Sequence, residues 1–164
     1  MDSNFWKNKK VLLTGHTGFK GSWLSIWLKK LGVELVGFSK DIPTKPSLYE
    51  VAKVSEGMIS ITGNIEDFVM IQKVVKENKP EIVIHMAAQS LVRKSYEEPI
   101  TTFATNVMGT VNLLQAIKTT GNTRVLINVT VISVMRIRVQ KKPFLKIHLW
   151  GDMIHIVVVK DVQN

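Results

Sequence analysis

The sequence predicts an α/β fold built on a doubly wound parallel sheet, and three observations carry that expectation. An apolar run at residues 11–13 enters three glycines at three-residue spacing, Gly15, Gly18 and Gly21, and leaves as an amphipathic run over 23–31. Apolar runs of strand length then alternate with helical runs in the order β-α-β-β-α-β-α-β, the pattern of crossover connections in a parallel sheet. Finally, 45% hydrophobic residues in a chain of 164 are enough for the core of one ordinary domain.

The glycine turn is the most informative stretch. Strand, glycine turn and helix in that order are the context a phosphate-binding turn needs. Gly15 permits the tight turn, Gly18 lets the backbone approach a pyrophosphate, and Gly21 lets the helix pack close to the strand. The helix N-terminus adds free N–H groups and a partial positive charge. Dinucleotide binding is therefore the expected use of this end of the sheet.

Taken in order, Asn4, Phe5 and Trp6 precede the first strand and are expected to pack a sheet edge. Gly32 suits a helix C-cap, and residues 33–38 read as the second strand. Asp41 lies near the spacing of an acid that takes ribose hydroxyls, and equally suits a turn beside Pro43. Prolines mark 42–48 as loop. Residues 58–62 form a third strand. A helix follows over 66–78 with Phe68, Val69, Ile71, Val74 and Val75 on its apolar side, stopped by Pro80. Residues 81–85 are the fourth strand, and Ala87 and Ala88 leave little bulk beyond its carboxyl end. Polar residues 93–99 read as loop. Pro99 opens a long helix through Ala104, Val107, Val111, Leu114 and Ile117 to Gly121, and 125–129 is the fifth strand, ending at Thr130.

Composition narrows the function classes. The net charge of +9 comes from scattered Lys and Arg with no run longer than two, so it reads as solvated surface and no nucleic-acid partner is expected. No apolar run reaches membrane-span length, and residues 1–10 are polar and lack a signal-peptide core. With no cysteine, disulfides and thiolate metal sites are excluded, which fits a cytoplasmic protein. His16 in the glycine turn suits either cofactor lining or a solvated turn. His85 reads as a satisfied structural histidine, and His148 and His155 have no partners at metal spacing. Trp23, Leu24, Trp27 and Leu28 share a helical spacing and read as core.

Two stretches, Thr-Gly-His-Thr-Gly-Phe-Lys-Gly at 14–21 and His-Met-Ala-Ala-Gln at 85–89, resemble the extended short-chain dehydrogenase/reductase superfamily. Phe5 and Trp6, the runs at 18–24 and 43–48, Ser-Tyr-Glu-Glu-Pro at 95–99 and Thr-Asn-Val-Met-Gly-Thr at 105–110 narrow the resemblance to its CDP-glucose 4,6-dehydratases, over roughly residues 5–130. The resemblance implies an NAD(P)-binding Rossmann-like domain over 1–130, truncated and without the C-terminal substrate subdomain, with NAD as cofactor. It implies that Gly15, Thr17, Gly18, Phe19, Lys20 and Gly21 line the pyrophosphate and ribose. Asn64 and Ile65, then Ala87, Ala88 and Gln89, Asn106 and Thr130 would complete the cofactor site. Asn64 stands where the family usually has Asp, which removes a charge-assisted bond to the adenine amino group. In the family the substrate is CDP-glucose, and the chain assembles as a homodimer or larger homo-oligomer through the helix that starts at Pro99. No metal is implied.

The family's chemistry should follow the fifth strand. By resemblance, a Ser-Asp-Lys-Cys-Tyr-Glu-Asn run is expected at 131, then Tyr-Asp-Pro-Tyr-Ser-Ser-Ser-Lys, whose Tyr is the base and whose Lys keeps the phenol's pKa low. Instead Val131 and Ile132 replace the Ser and Asp, and Ile156 stands at the Tyr position. Lys160 falls at the Lys position only by codon coincidence. No tyrosine follows Tyr96, and residues 131–164 carry six Lys/Arg against two Asp, where the preceding 130 carry sixteen against eleven acids. A reading-frame slip near codon 130 explains this. Each codon is rebuilt from the last base of the preceding codon and the first two of its own, with permitted wobble. Residues 131–137 and 153–160 then become those two motifs in one frame. Residues 131–164 are thus expected to be an aberrant, out-of-frame tail whose β-branched run prefers strand, beyond a sheet edge left exposed.

Overall fold

The structure, a computed structural model, describes residues 3–130 and 155–160. The described elements are α1 (Ser3–Trp6), β1 (Lys10–Thr14), α2 (Phe19–Lys30), β2 (Glu34–Ser39), α3 (Leu48–Val51), β3 (Ile59–Thr62), α4 (Phe68–Asn78), β4 (Ile82–His85), α5 (Val92–Glu97), α6 (Pro99–Phe103), a π turn (Ala104–Met108), α7 (Gly109–Thr120), β5 (Val125–Thr130) and β6 (His155–Lys160). The strands order as β3-β2-β1-β4-β5-β6. The first five run parallel, and β6 pairs antiparallel to β5. From β1 the chain winds outward to β3, then returns to the other side of β1 for β4 and β5. The reversal between β1 and β4 opens a crevice at the carboxyl ends of the strands, where doubly wound sheets bind ligands.

Side chains alternate along buried strands, so each face carries its own core. Leu12, Val36, Phe38 and Val83 pack under α4 and α7 with Ile71, Val75, Leu113 and Ile117. Val11, Leu13, Leu35, Ile82 and Ile84 pack on the opposite face with Leu28 of α2. Trp6 joins that second cluster, so α1 sits on a face of the sheet and not at its edge. At the amino end of the strands, the Lys9 ammonium meets the Glu81 carboxylate at 2.8 Å, spanning the start of β1 and β4. That hydrogen bond holds the Glu81 carboxyl below its usual range.

Several elements differ from the sequence reading, each for a physical reason. α2 begins four residues earlier than the apolar run, with Gly18 as its N-cap. Its packing face is Gly21, Ser22, Ser25 and Leu28, small side chains that bring the helix close to the sheet. Trp23 and Trp27 therefore point outward, 56% and 49% exposed, and are not core. With Lys20 and Leu24 they line a depression of about 430 Å³ along α2. Val69 is likewise exposed, because Ile71, Val74 and Val75 set the buried face of α4.

Residues 92–97 are helical, not loop. Arg93–Glu97 and Lys94–Glu98 pair at i,i+4, which stabilises a polar helix that hydrophobic periodicity does not reveal. The helix from Pro99 is interrupted by the π turn, where the Gly109 N–H bonds to the Ala104 carbonyl. One extra residue in that turn rotates the following face, so Leu113, Ala116 and Ile117 are buried while Val107, Val111 and Leu114 face outward. The stretch around 42–48 is a loop as expected, but it runs into α3, capped by the Ser47 hydroxyl. β6 covers the edge of β5 that the sequence reading left open. Val131, Ile132 and His148 lie outside the described residues.

Candidate functional site

The crevice is built from the last residues of β1 and β4 and the turns that follow them. Gly15 leaves β1 with φ +79°, and a Cβ there would lie 2.8 Å from the main-chain carbon of Met86, in the turn after β4. A Cβ on Gly21 would overlap the Gly15 carbonyl oxygen. Only glycine fits either position, so the two turns meet backbone to backbone. Gly18 then starts α2, whose first N–H groups face the turn. Phe19 and Lys20 follow at the mouth, both exposed.

On the β2 side, the turn is held by polar side chains. The Thr17 N–H donates to Ser39 Oγ at 3.3 Å, and the Thr17 hydroxyl donates to the Asp41 carbonyl oxygen. Asp41 is exposed, and its main chain is what the turn uses. His16 is 1% exposed, neither a solvated turn residue nor open to a ligand. Its Nδ1 lies 2.9 Å from Ser39 Oγ and its Nε2 2.8 Å from Ser60 Oγ, which in turn meets the Tyr49 hydroxyl at 2.7 Å. Burial pushes the His16 imidazole down to about 4, against a hydrogen bond to the Phe38 main chain that raises it. The imidazole is accommodated because β2 has Gly37 opposite, where a Cβ would sit 2.5 Å from the ring.

On the β4 side, Gln89 is clamped by Asn106 of the π turn. Asn106 Oδ1 accepts from the Gln89 N–H at 2.8 Å, and Nδ2 donates to the Gln89 carbonyl at 3.0 Å. The Gln89 side chain bonds Thr102 and the Leu91 main chain. Ala87 and Ala88 lie between this clamp and β1. His85 is buried, with its imidazole held near 4 by desolvation. Its satisfied state, Nδ1 on Thr14 at 2.6 Å and Nε2 on Thr110 at 3.1 Å, matches the structural histidine expected from the sequence.

Asn64 and Ile65 follow β3. The Asn64 side-chain oxygen accepts from the Glu66 N–H at 3.1 Å, which leaves one lone pair for a further donor. Ile65 is 4% exposed and its side chain packs against Gly109, while its carbonyl accepts from Asn112 Nδ2 at 3.2 Å. Thr130 ends β5 at the carboxyl side of the sheet. Lys160 is elsewhere. It pairs in register with Val125, at the amino end of β5, about 17 Å along the strand from Thr130.

Thus the turn residues at 15–21, 64–65, 87–89, 106 and the end of β5 share one side of the sheet, and Lys160 does not. Sequence reasoning missed Thr14, Ser39, Ser60, Tyr49 and Thr110 as parts of the scaffold. One signal was present: Thr14, Ser39 and His85 are the polar residues that end otherwise apolar strands. Among the described residues, no buried side-chain polar atom lacks a partner, no group of three His, Cys, Asp or Glu is placed to hold a metal, and no helix is long and apolar enough to cross a membrane.

Comparison with known proteins places these features. The family described as GDP-mannose 4,6 dehydratase matches residues 12–133. A CDP-glucose 4,6-dehydratase of Salmonella typhimurium is 53% identical over 130 residues, covering 79% of this chain and 36% of the relative. The crystal structure of the Thermus thermophilus UDP-glucose 4-epimerase in complex with NAD superposes with a TM-score of 0.61 at 30% identity, over 68% of this chain and 34% of that one. The UDP-glucose 4-epimerase of Thermotoga maritima with UDP-glucose gives 0.61 at 28%, over 68% and 34%. The chain spans about a third of the length of these proteins. The fold is the Rossmann-like α/β sheet expected from the sequence.

Proposed function

The chain belongs to the GDP-mannose 4,6 dehydratase family, and from that premise we propose that residues 1–130 are the NAD-binding half of a CDP-glucose 4,6-dehydratase. The observation that carries the reading is the 53% identity to a CDP-glucose 4,6-dehydratase across the residues that build the crevice. The solved epimerases reach 28–30%. A related nucleotide-sugar epimerase or reductase is the alternative, and the runs at 43–48 and 95–99 favour the dehydratase.

The cradle fits a dinucleotide. Space at Gly15 and Gly21 is taken by close backbone, and the α2 N-terminus offers unsatisfied N–H groups to a pyrophosphate. Thr17, Gly18, Phe19 and Lys20 would flank the pyrophosphate and ribose, Asn64 and Ile65 the adenine end, and Ala87, Ala88, Gln89, Asn106 and Thr130 the nicotinamide half. NAD, when bound, supplies a reversible hydride acceptor for a reaction that removes water from CDP-glucose and leaves a 4-keto-6-deoxy sugar. The chain's own residues bind and orient. None of residues 131–164 is a tyrosine, so no phenol is present there to take the sugar hydroxyl proton. The 164-residue chain is therefore a cofactor binder without dehydratase turnover.

The out-of-frame origin of residues 131–164 belongs to the same proposal. It is supported by the family match ending at residue 133 and by the switch to a strongly basic composition. Cytoplasmic placement and a homodimer or larger homo-oligomer are part of the same proposal. Ile100, Phe103, Val107, Val111 and Leu114 form an outward apolar stripe from α6 through α7 that suits a subunit contact, which also serves a second reading of the chain as a dimerising remnant. The test is to sequence the gene across codon 130 and assay the restored-frame product on CDP-glucose and on UDP-glucose. Loss of water from CDP-glucose supports the reading, and epimerisation of UDP-glucose alone replaces it.

A further inference from the structure

The hydroxyls of Thr14 and Thr110 together determine where the proton sits on the buried imidazole of His85. Thr14 Oγ1 accepts from the Ala87 N–H at 3.1 Å and from the Met86 N–H at 3.1 Å, the latter shared with the Thr14 main-chain oxygen at 3.2 Å. A hydroxyl has two acceptor sites and one proton, so its third contact, 2.6 Å to His85 Nδ1, is a donation. Nδ1 is then the unprotonated nitrogen, and the proton sits on Nε2. The far side agrees: the Thr110 hydroxyl gives its single proton to the main-chain carbonyl of Asn106 at 2.7 Å, so its 3.1 Å contact with Nε2 is accepted from Nε2–H. Asn106 in turn holds both main-chain groups of Gln89. His85 thus ties the end of β1 to the main chain of the π turn at Asn106, and Thr14 on one side and the Asn106 carboxamide on the other grip the main chain of the 86–89 turn.

We propose that His85, as the neutral Nε2–H tautomer, is a positioning residue that sets the 86–89 turn and Asn106 for the nicotinamide half of a bound dinucleotide. The assignment rests on the dinucleotide reading above. In a doubly wound sheet the adenosine half lies on the β2 side of the β1 turn, so a ligand crossing the crevice puts its other half over β4. The relay lies wholly on the β4 side. The adenosine side has a separate network, from His16 through Ser39 and Ser60 to Tyr49, and shares no hydrogen bond with it. A ligand that stops at the pyrophosphate should not sense His85, and one that continues should.

The experiment compares NAD with ADP by calorimetric titration of the full chain, for the native protein and for Thr110→Val and Thr110→Ser. Val keeps the shape of Thr and removes the hydroxyl that accepts from Nε2–H. The expected result is about a tenfold loss of NAD affinity in Thr110→Val, ADP affinity within twofold, and recovery in Thr110→Ser. A merely structural role would weaken NAD and ADP together. Unchanged NAD affinity, or equal loss of both ligands, overturns the assignment. Native chain that binds ADP but gains nothing from the nicotinamide half also overturns it. Native chain that binds neither removes the dinucleotide reading itself. Independently, nitrogen-15 shifts of His85 should show a protonated Nε2 and a bare Nδ1, and the reverse tautomer contradicts the relay.

Discussion

Asn106 and Gln89 are joined by two antiparallel hydrogen bonds, 2.8 and 3.0 Å, between one carboxamide and the two main-chain groups of the other residue. The pairing ties the π turn to the segment after β4, and π turns often mark functional sites. Asn106→Asp keeps the acceptor but replaces the donor with a carboxylate oxygen facing the Gln89 carbonyl. The expected cost is about 1–3 kcal/mol of stability, with about a tenfold weaker NAD affinity. Urea unfolding and calorimetry measure the two. Native-like values in both would show that the clamp holds nothing in place.

Gly21→Ala should destabilise the fold by about 1–3 kcal/mol through overpacking against the Gly15 carbonyl, and should abolish NAD binding, because the strand and helix must part to admit the methyl group. Gly57→Ala is the control for local backbone strain. It has positive φ but nothing within 4 Å of its added Cβ, so it should leave NAD affinity unchanged. Equal behaviour of the two variants in NAD titrations would argue against the cradle.

His16 and His85 are both held near 4, against 6.5 when free. Between those values the unfolded chain binds more protons than the folded one, so stability rises with pH through that window. Their contribution is complete above about 6.5 and is lost as pH falls toward 4. Two such groups give a slope of at most about 2.7 kcal/mol per pH unit. Urea midpoints measured from pH 4 to 7.5 check this. The double variant His16→Asn with His85→Gln should flatten the slope, and an unchanged slope would assign it to other groups.

Lys160→Ala should leave NAD affinity within twofold, because the register of β6 puts residue 160 at the opposite end of β5 from the crevice. A loss of tenfold or more would mean that Lys160 reaches the cofactor after all.

Much of the sheet was legible because buried parallel strands are short apolar runs, and Val11, Val36, Val83 and Leu126 lie in four of them. The glycine turn was legible because Gly15 and Gly21 meet backbone that excludes any Cβ. Helix faces were harder to read. Trp23 and Trp27 looked like core by spacing, yet α2 approaches the sheet through Gly21, Ser22 and Ser25 and turns its largest side chains outward. Val111 and Leu114 lie on the apolar spacing of the helix from Pro99, yet both are exposed after the π turn, a hydrogen-bond shift that no apolar period records. α5 was missed because ion pairs, not burial, favour it. The polar scaffold was missed because its members, from Tyr49 and Ser60 to Thr110, are brought together only by the crossovers.

The most direct test of the account is calorimetric titration of NAD into the purified 164-residue chain, with CDP-glucose then added and the product followed. One saturable NAD site per chain, with no 4-keto-6-deoxy sugar formed, is the predicted result. Absence of saturable binding, or turnover of the sugar nucleotide by this chain, would contradict it.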